Sequence, residues 1–188
     1  VTPQLSDAAF IREKVPMTKE EIRHVSICKL HLKSDSVLYD VGSGTGSIAV
    51  EAASLSNDME VYAIEQKENA VQLITQNREK HGLENIHVIN AKAPDRMDNL
   101  PVPTHAFIGG SSGNLKEIIE ALKAKNPHIR IVINAISMET ICEIKEILSA
   151  YDVKNEDIVQ LQVSRSKQIG HYHLMQAENP VWICSFEF

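Results

Sequence analysis

The sequence predicts an α/β fold: an open, Rossmann-like, mostly parallel sheet of seven strands, with helices on both faces and an antiparallel C-terminal strand. Three observations predict it. Apolar runs of strand length alternate with helical periodicity between residues 37 and 135, the pattern of right-handed βαβ units. The first of those runs breaks into three glycines, Gly42, Gly44 and Gly46, before a helical pattern resumes. The chain then ends in two alternating segments joined by a long connection, which read as antiparallel additions to the sheet.

Residues 1–16 are expected to be irregular, punctuated by Pro3 and Pro16. Thr18-Lys-Glu-Glu21 has the form of a capping box, so a helix is expected from Thr18 through Ile22, Val25, Ile27 and Leu30. Strands follow at 37–41, 60–64, 86–90, 104–108 and 129–135. The helices between them are expected from about Ile48 to Leu55, at 67–81 and at 113–125, with another at 138–150 after the fifth strand. A strand begins near Asp157, residues 165–178 read as a loop carrying Lys167, His171 and His173, and Val181–Phe188 closes the chain.

All 188 residues are expected to form one domain, with residues 1–35 a segment and helix covering a ligand site. Hydrophobic residues make up 43% and charged residues 23%, an ordinary soluble composition. A net charge of −6 argues against a broad nucleic-acid surface. Cys28, Cys142 and Cys184 have no paired spacing, which fits reduced thiols in the cytoplasm. No apolar run reaches membrane-spanning length, and no signal peptide is recognised. His171 and His173 lack a third ligand, so no metal site is expected.

Ligands of such sheets bind beyond the carboxyl ends of the strands. That rule selects Asp40, Glu65, residues 90–94, Gly109-Gly110 and Asn134-Ala-Ile-Ser137. Gly44-Thr-Gly46-Ser-Ile-Ala49 satisfies the dinucleotide fingerprint formally. Asp40, however, stands two residues before Gly42, where it would repel a pyrophosphate and suit a ligand bearing an ammonium and a sulfonium. The turn Asp40-x-Gly42-Ser43-Gly44-Thr45-Gly46 therefore reads as an S-adenosylmethionine site in a class I methyltransferase fold. Glu65 follows Gly46 by 19 residues and is placed to accept ribose hydroxyls.

Methyltransferases that modify exocyclic base amines share a [D/N]-P-P-[Y/F] tetrapeptide after the fourth strand. This chain has Phe107-Ile-Gly-Gly110 instead. Gly109, Gly110 and Gly113 leave open space suited to a broad, flat acceptor. Met17-Thr-Lys-Glu-Glu-Ile-Arg23, Asp40-Val-Gly-Ser-Gly-Thr-Gly46, Ala93-Pro94, Phe107-Ile-Gly-Gly-Ser111, Asn134-Ala-Ile136 and Asn179-Pro-Val181 occur in order along nearly the whole chain. Together they resemble the CbiT-type decarboxylating methyltransferases of cobalamin biosynthesis. The resemblance implies methylation at C-15 of a precorrin or cobalt-precorrin macrocycle, loss of carbon dioxide from the C-12 acetate, and a homo-oligomer, commonly a tetramer. The stand-alone domain suggests the cobalt-containing route. The alternative is another class I methyltransferase acting on RNA or a small molecule.

On that reading Thr18, Asp40, Gly42, Ser43, Gly44, Thr45, Gly46, Glu65, Lys92, Ala93 and Gly109 are the expected cofactor residues. Lys92 stands where the family usually has an acid. It cannot accept from the adenine amine, so backbone at Lys92 and Ala93 is expected to serve instead. Arg23, Gly110, Glu139 and Arg165 are the expected substrate contacts, because an acetate- and propionate-rich ring calls for cations around it. Lys167 is a further candidate by position, and Arg12 and Lys19 follow it. No residue is assigned to the decarboxylation.

Overall fold

A computed structural model describes residues 4–188. Helix α1 spans Glu20–Leu30 and strand β1 spans Val37–Val41. They are followed by α2 (Ser47–Ala53), β2 (Glu60–Glu65), α3 (Glu68–Lys80), β3 (Ile86–Asn90), β4 (His105–Ile108), α4 (Leu115–Lys125), β5 (Arg130–Ala135) and α5 (Met138–Ala150). The chain ends in β6 (Lys154–Leu161), β7 (Ser164–Ile169), β8 (Tyr172–Ala177) and β9 (Val181–Glu187). Seven strands form one sheet in the order β3-β2-β1-β4-β5-β9-β6, and β7 and β8 form a separate two-stranded ribbon. β1 to β5 pair in parallel, while β9 lies antiparallel between β5 and β6.

Alternation along the central strands feeds two cores. Tyr39, Val41, Ala106, Ile108, Ile131 and Ile133 pack with Ile118, Leu122, Ile144 and Ile147 of α4 and α5. Leu38, Phe107 and Val132 point the other way, toward Ile22, Ile27 and Leu30 of α1 and Ile48 and Ala52 of α2. The strands are buried on both faces, so their sequence reads as near-continuous apolar runs. The order of strands places the carboxyl ends of β1, β2, β4 and β5 along one edge, and the reversal of connection direction at β1 opens a crevice there.

Two expectations change. α1 begins at Glu20 with Lys19 at its N-cap, and no side chain caps it. Thr18 instead contributes its carbonyl, which accepts from Arg23 Nη1 at 2.9 Å. The long-range demand of a buried guanidinium has overridden a local capping signal. The segment expected as a loop between Arg165 and Glu178 is the β7–β8 hairpin, closed at Ile169↔Tyr172. Its weak apolar alternation and scattered polar residues hid it, because none of its residues is buried in the chain's own core.

The N-terminal segment is held down by polar contacts rather than by regular structure. Arg23 is wholly buried. Its Nε donates to Glu51 Oε2 at 3.0 Å, Nη1 also donates to Asp7 Oδ1 at 3.2 Å, and Nη2 donates to the Leu5 carbonyl. Glu51 Oε1 in turn accepts from the backbone N–H of Gln4 and Leu5. Removing one partner of a buried pair strands the other. Arg23→Ala is therefore expected to lower the unfolding free energy by about 3–5 kcal/mol, read by urea denaturation; a loss below about 1 kcal/mol, the scale of an exposed pair, would show that the network is not structural.

Candidate cofactor and acceptor site

β1 ends in a turn that brings backbone against backbone. Gly42 has φ +69°, and a Cβ there would lie 2.4 Å from the Gly110 carbonyl oxygen, so any side chain would push the ends of β1 and β4 apart. Gly44 has φ +59°, and its Cα faces the Pro16 carbonyl of the N-terminal segment. The turn is thus enclosed by β4 on one side and by residues 15–19 on the other.

Glu65, at the end of β2, organises this turn. Its Oε2 accepts from Gly44 N–H at 3.0 Å, and its Oε1 accepts from the N–H groups of Gln66 and Lys67, both at 2.9 Å. A carboxylate has about four acceptor positions, so about one is left for a ligand hydroxyl unless Gly44 yields its place. The parallel register puts Glu65 opposite Asn90 on β3 and Val41 opposite Ile108 on β4.

Together these ends enclose a cavity of about 640 Å³, within the range of small-molecule sites. Thr18, Gly42, Ser43, Gly44, Glu65, Lys92, Ala93, Gly109 and Gly110 all line it. A Cβ on Gly110 or Gly113 would meet nothing within 4 Å, as the sequence suggested, whereas one on Gly109 would lie 3.0 Å from the Phe107 ring, so Gly109 leaves no such space. The opposite wall adds Asn134, Ile136, Val163, Glu178, Asn179 and Val181.

Asp40 is not on this wall. It is wholly buried under the turn, where its Oδ2 accepts from Ser43 Oγ at 2.6 Å and from Ala49 N–H at 3.2 Å. Burial pushes its pKa up to about 7 against those two hydrogen bonds, and the charge of Glu65 adds to the rise. Asp40 Oδ1 has no hydrogen-bond partner among the described residues, and neither does the buried Thr45 Oγ1. Thr45 and Gly46 lie behind the turn, where the Thr45 carbonyl accepts from Asn77 Nδ2 at 2.8 Å and Gly46 is the N-cap of α2.

Three expected substrate contacts are placed elsewhere. Arg23 is enclosed by Glu51, Asp7 and the N-terminal segment, and its buried, hydrogen-bonded guanidinium cannot meet a substrate. Glu139 is exposed in the first turn of α5, off the cavity wall. Arg165 stands on β7 and reaches the rim indirectly: its Nε donates to Glu178 Oε1 at 3.2 Å and its Nη2 pairs with Glu21. His171 and His173 lie on the hairpin, and among the described residues no group of three His, Cys, Asp or Glu is placed to hold a metal ion.

Val15, Pro16, Gln66, Lys67, Val163 and Glu178 also line the wall, beyond the residues expected from the sequence. Pro16 and Val15 reach the site only through the fold of the N-terminal segment, and Val163 and Glu178 flank a hairpin that was not anticipated. Their bond, Glu178 N–H to the Val163 carbonyl at 2.8 Å, closes the base of that hairpin. Gln66 and Lys67 follow Glu65 directly, so the position of Glu65 at a strand end was the signal that could have found them.

The residues fit a nucleoside cofactor with a cationic arm. The glycine turn admits close approach, an acidic side chain faces the cavity at β2, and an orphaned carboxylate oxygen lies beneath the turn. Comparison with known proteins agrees. The family described as precorrin methyltransferase domain matches residues 8–187. A probable cobalt-precorrin-6B C(15)-methyltransferase (decarboxylating) of Pyrobaculum calidifontis is 37% identical over 185 residues, covering 97% of this chain and 94% of the relative. The crystal structure of precorrin-6y C5,15-methyltransferase from Geobacter metallireducens superposes with a TM-score of 0.91 at 31% identity, over 98% of this chain and 96% of that one. Precorrin 8w decarboxylase of Methanobacterium thermoautotrophicum superposes with a TM-score of 0.88 at 32% identity, over 97% and 98%. The chain has the class I methyltransferase fold and belongs to the precorrin methyltransferase family.

Proposed function

We propose that this protein methylates C-15 of a precorrin or cobalt-precorrin macrocycle with loss of the C-12 acetate carboxyl, using S-adenosylmethionine. The observation that carries the reading is one cavity at the strand ends, lined by the glycine turn and Glu65, on a chain whose relatives bear that name. The half formed by Gly42–Gly44, Glu65, Lys92, Ala93 and Gly109 suits the nucleoside, with Thr18 on the facing segment. The half beyond Gly110, walled by Asn134, Ile136 and Val181, suits the ring.

S-adenosylmethionine supplies an electrophilic methyl on a sulfonium. The chain's work is to hold and exclude. Glu65 keeps the Gly44 N–H fixed while offering its remaining lone pair to a ribose hydroxyl. The backbone at Lys92 and Ala93 faces the adenine. Lys19, Lys67 and Lys92 put positive charge on the wall for an acidic ring. An RNA acceptor is disfavoured by the net charge of −6.

The protein is further proposed to act as a homo-oligomer, a tetramer by family resemblance. The β7–β8 ribbon supports this. Ile169, Tyr172, Leu174 and Met175 are exposed on it, Tyr172 by 74%, and a two-stranded ribbon alone is marginal in water. The cytoplasm is the proposed location, since the three cysteines are unpaired. No helix among the described residues is long and apolar enough to cross a membrane.

Isothermal titration with S-adenosylhomocysteine, run beside NAD, tests the cofactor. Micromolar binding of the first and none of the second is expected, and the reverse would overturn the assignment. Asp40 adds a pH signature. A cation bound near it favours the ionised form, which at a pKa of about 7 rises about tenfold in population between pH 6 and pH 8. S-adenosylmethionine affinity should therefore rise across that window in the wild type relative to Asp40→Asn. Parallel profiles for the two proteins would remove Asp40 from cofactor recognition. For the assembly, light scattering is expected to give four chain masses for the wild type and fewer for Leu174→Glu. A monomeric wild type would refute it.

A further inference from the structure

Five titratable side chains line the cavity among the described residues: Lys19, Glu65, Lys67, Lys92 and Glu178. Three are amines, which attract the ring's carboxylates. Glu65 is engaged by three backbone N–H groups. Glu178 differs from all of them. It lines the cavity with its chain neighbours Asn179 and Val181. Its backbone is anchored to Val163. Arg165 Nε donates to its Oε1 at 3.2 Å, and its Oε2 takes no hydrogen bond among the described residues.

The proposed reaction, on which this inference rests, needs such a group. When carbon dioxide leaves the acetate arm, the electron pair of the broken C–C bond moves into the conjugated ring. The ring carbon uses a pair to form its new bond to the methyl, and the methyl–sulfur bond breaks to leave a neutral thioether. The negative carboxylate and the positive sulfonium thereby cancel. Two protons are left to place. The ring carbon, now bearing a methyl, gives up its hydrogen as a proton. The methylene left by carbon dioxide must take one to become a methyl group. One proton leaves and one enters, so a single carboxylate that first accepts and then returns it balances the step without a co-reactant.

We propose that Glu178 is this catalytic residue, a proton shuttle on the acceptor wall whose Oε2 accepts the proton from the methylated carbon and returns one to the decarboxylated arm. Arg165 Nε engages the other oxygen, which leaves Oε2 as the one for this exchange. Glu65 cannot substitute, because its oxygens hold the turn together.

The test compares wild type, Glu178→Gln and Glu178→Ala on tetrapyrrole acceptors with S-adenosylmethionine, reading products by mass. The expected wild-type product is one methyl heavier and one carbon dioxide lighter. Glu178→Gln is expected to bind S-adenosylhomocysteine as the wild type does while its turnover falls about 10²-fold or more. Added formate is expected to restore Glu178→Ala by about tenfold or more, which a residue that merely supports Arg165 would not show. Glu178→Gln turning over within about threefold of the wild type would overturn the shuttle, as would a Glu178→Ala protein that formate leaves unchanged. A wild type that converts no tetrapyrrole would overturn the proposed reaction and the shuttle with it, a result separable from the others because it appears before any substitution.

Discussion

The carboxylate of Glu65 is the contact on which the site depends. It gathers the N–H groups of Gly44, Gln66 and Lys67, and so ties the turn after β1 to the end of β2 and the approach to α3. Those donors would otherwise face a cavity without partners in the chain. A charged acceptor bonded to three of them is strongly oriented, which keeps the turn open rather than collapsed onto the crevice. The register of β1 between β2 and β4 then delivers Gly109 and Gly110 to the same edge. The fit is tight enough that Gly42 has no room for a Cβ.

The far wall is made by a segment with almost no secondary structure. Residues 4–19 are held by side chains that reach out from α1, α2 and α3. Arg23 and Glu51 bind its start, and Asn77 binds its middle. Asn77 Oδ1 accepts from Ile11 N–H at 2.7 Å, while its Nδ2 donates to the carbonyls of Ile11 and Thr45, each at 2.8 Å. One buried amide thus bonds both the segment and the glycine turn. His81 Nε2 adds a contact to the Ala9 carbonyl at 3.1 Å. A buried polar network of this kind contributes orientation more than stability, since each member loses hydration and recovers it only in one arrangement.

The acceptor side follows a different logic. Its walls come from the end of β5 and from the two residues, Val163 and Glu178, where the hairpin leaves the body of the protein. Arg165 spans from that hairpin to Glu21 of α1 and to Glu178. The ribbon is therefore tied both to α1 and to a residue of the cavity wall. Ile136 on the cavity wall and Met138 at the start of α5 also expose apolar side chains.

Most of the sheet could be read from the chain alone, because a strand buried on both faces leaves a contiguous apolar run, and the Gly42–Gly46 turn has no other use for three alternate glycines. Glu65, Lys92, Ala93, Gly109 and Gly110 were legible because they stand at or just beyond strand ends, where ligands of such folds sit. What the chain by itself determined was thus the parallel core, the strand-end edge at which the cavity opens and the class I methyltransferase fold. Tertiary structure alone decided the rest. A capping box at Thr18 gave way to a carbonyl needed by Arg23, whose charge is neutralised by a glutamate 28 residues away. Asp40 faces the underside of its turn and not the cavity, a matter of side-chain direction within one strand. The hairpin that brings Glu178 to the wall has no core of its own, so its sequence carries no burial pattern, and only long-range contacts mark it as structure.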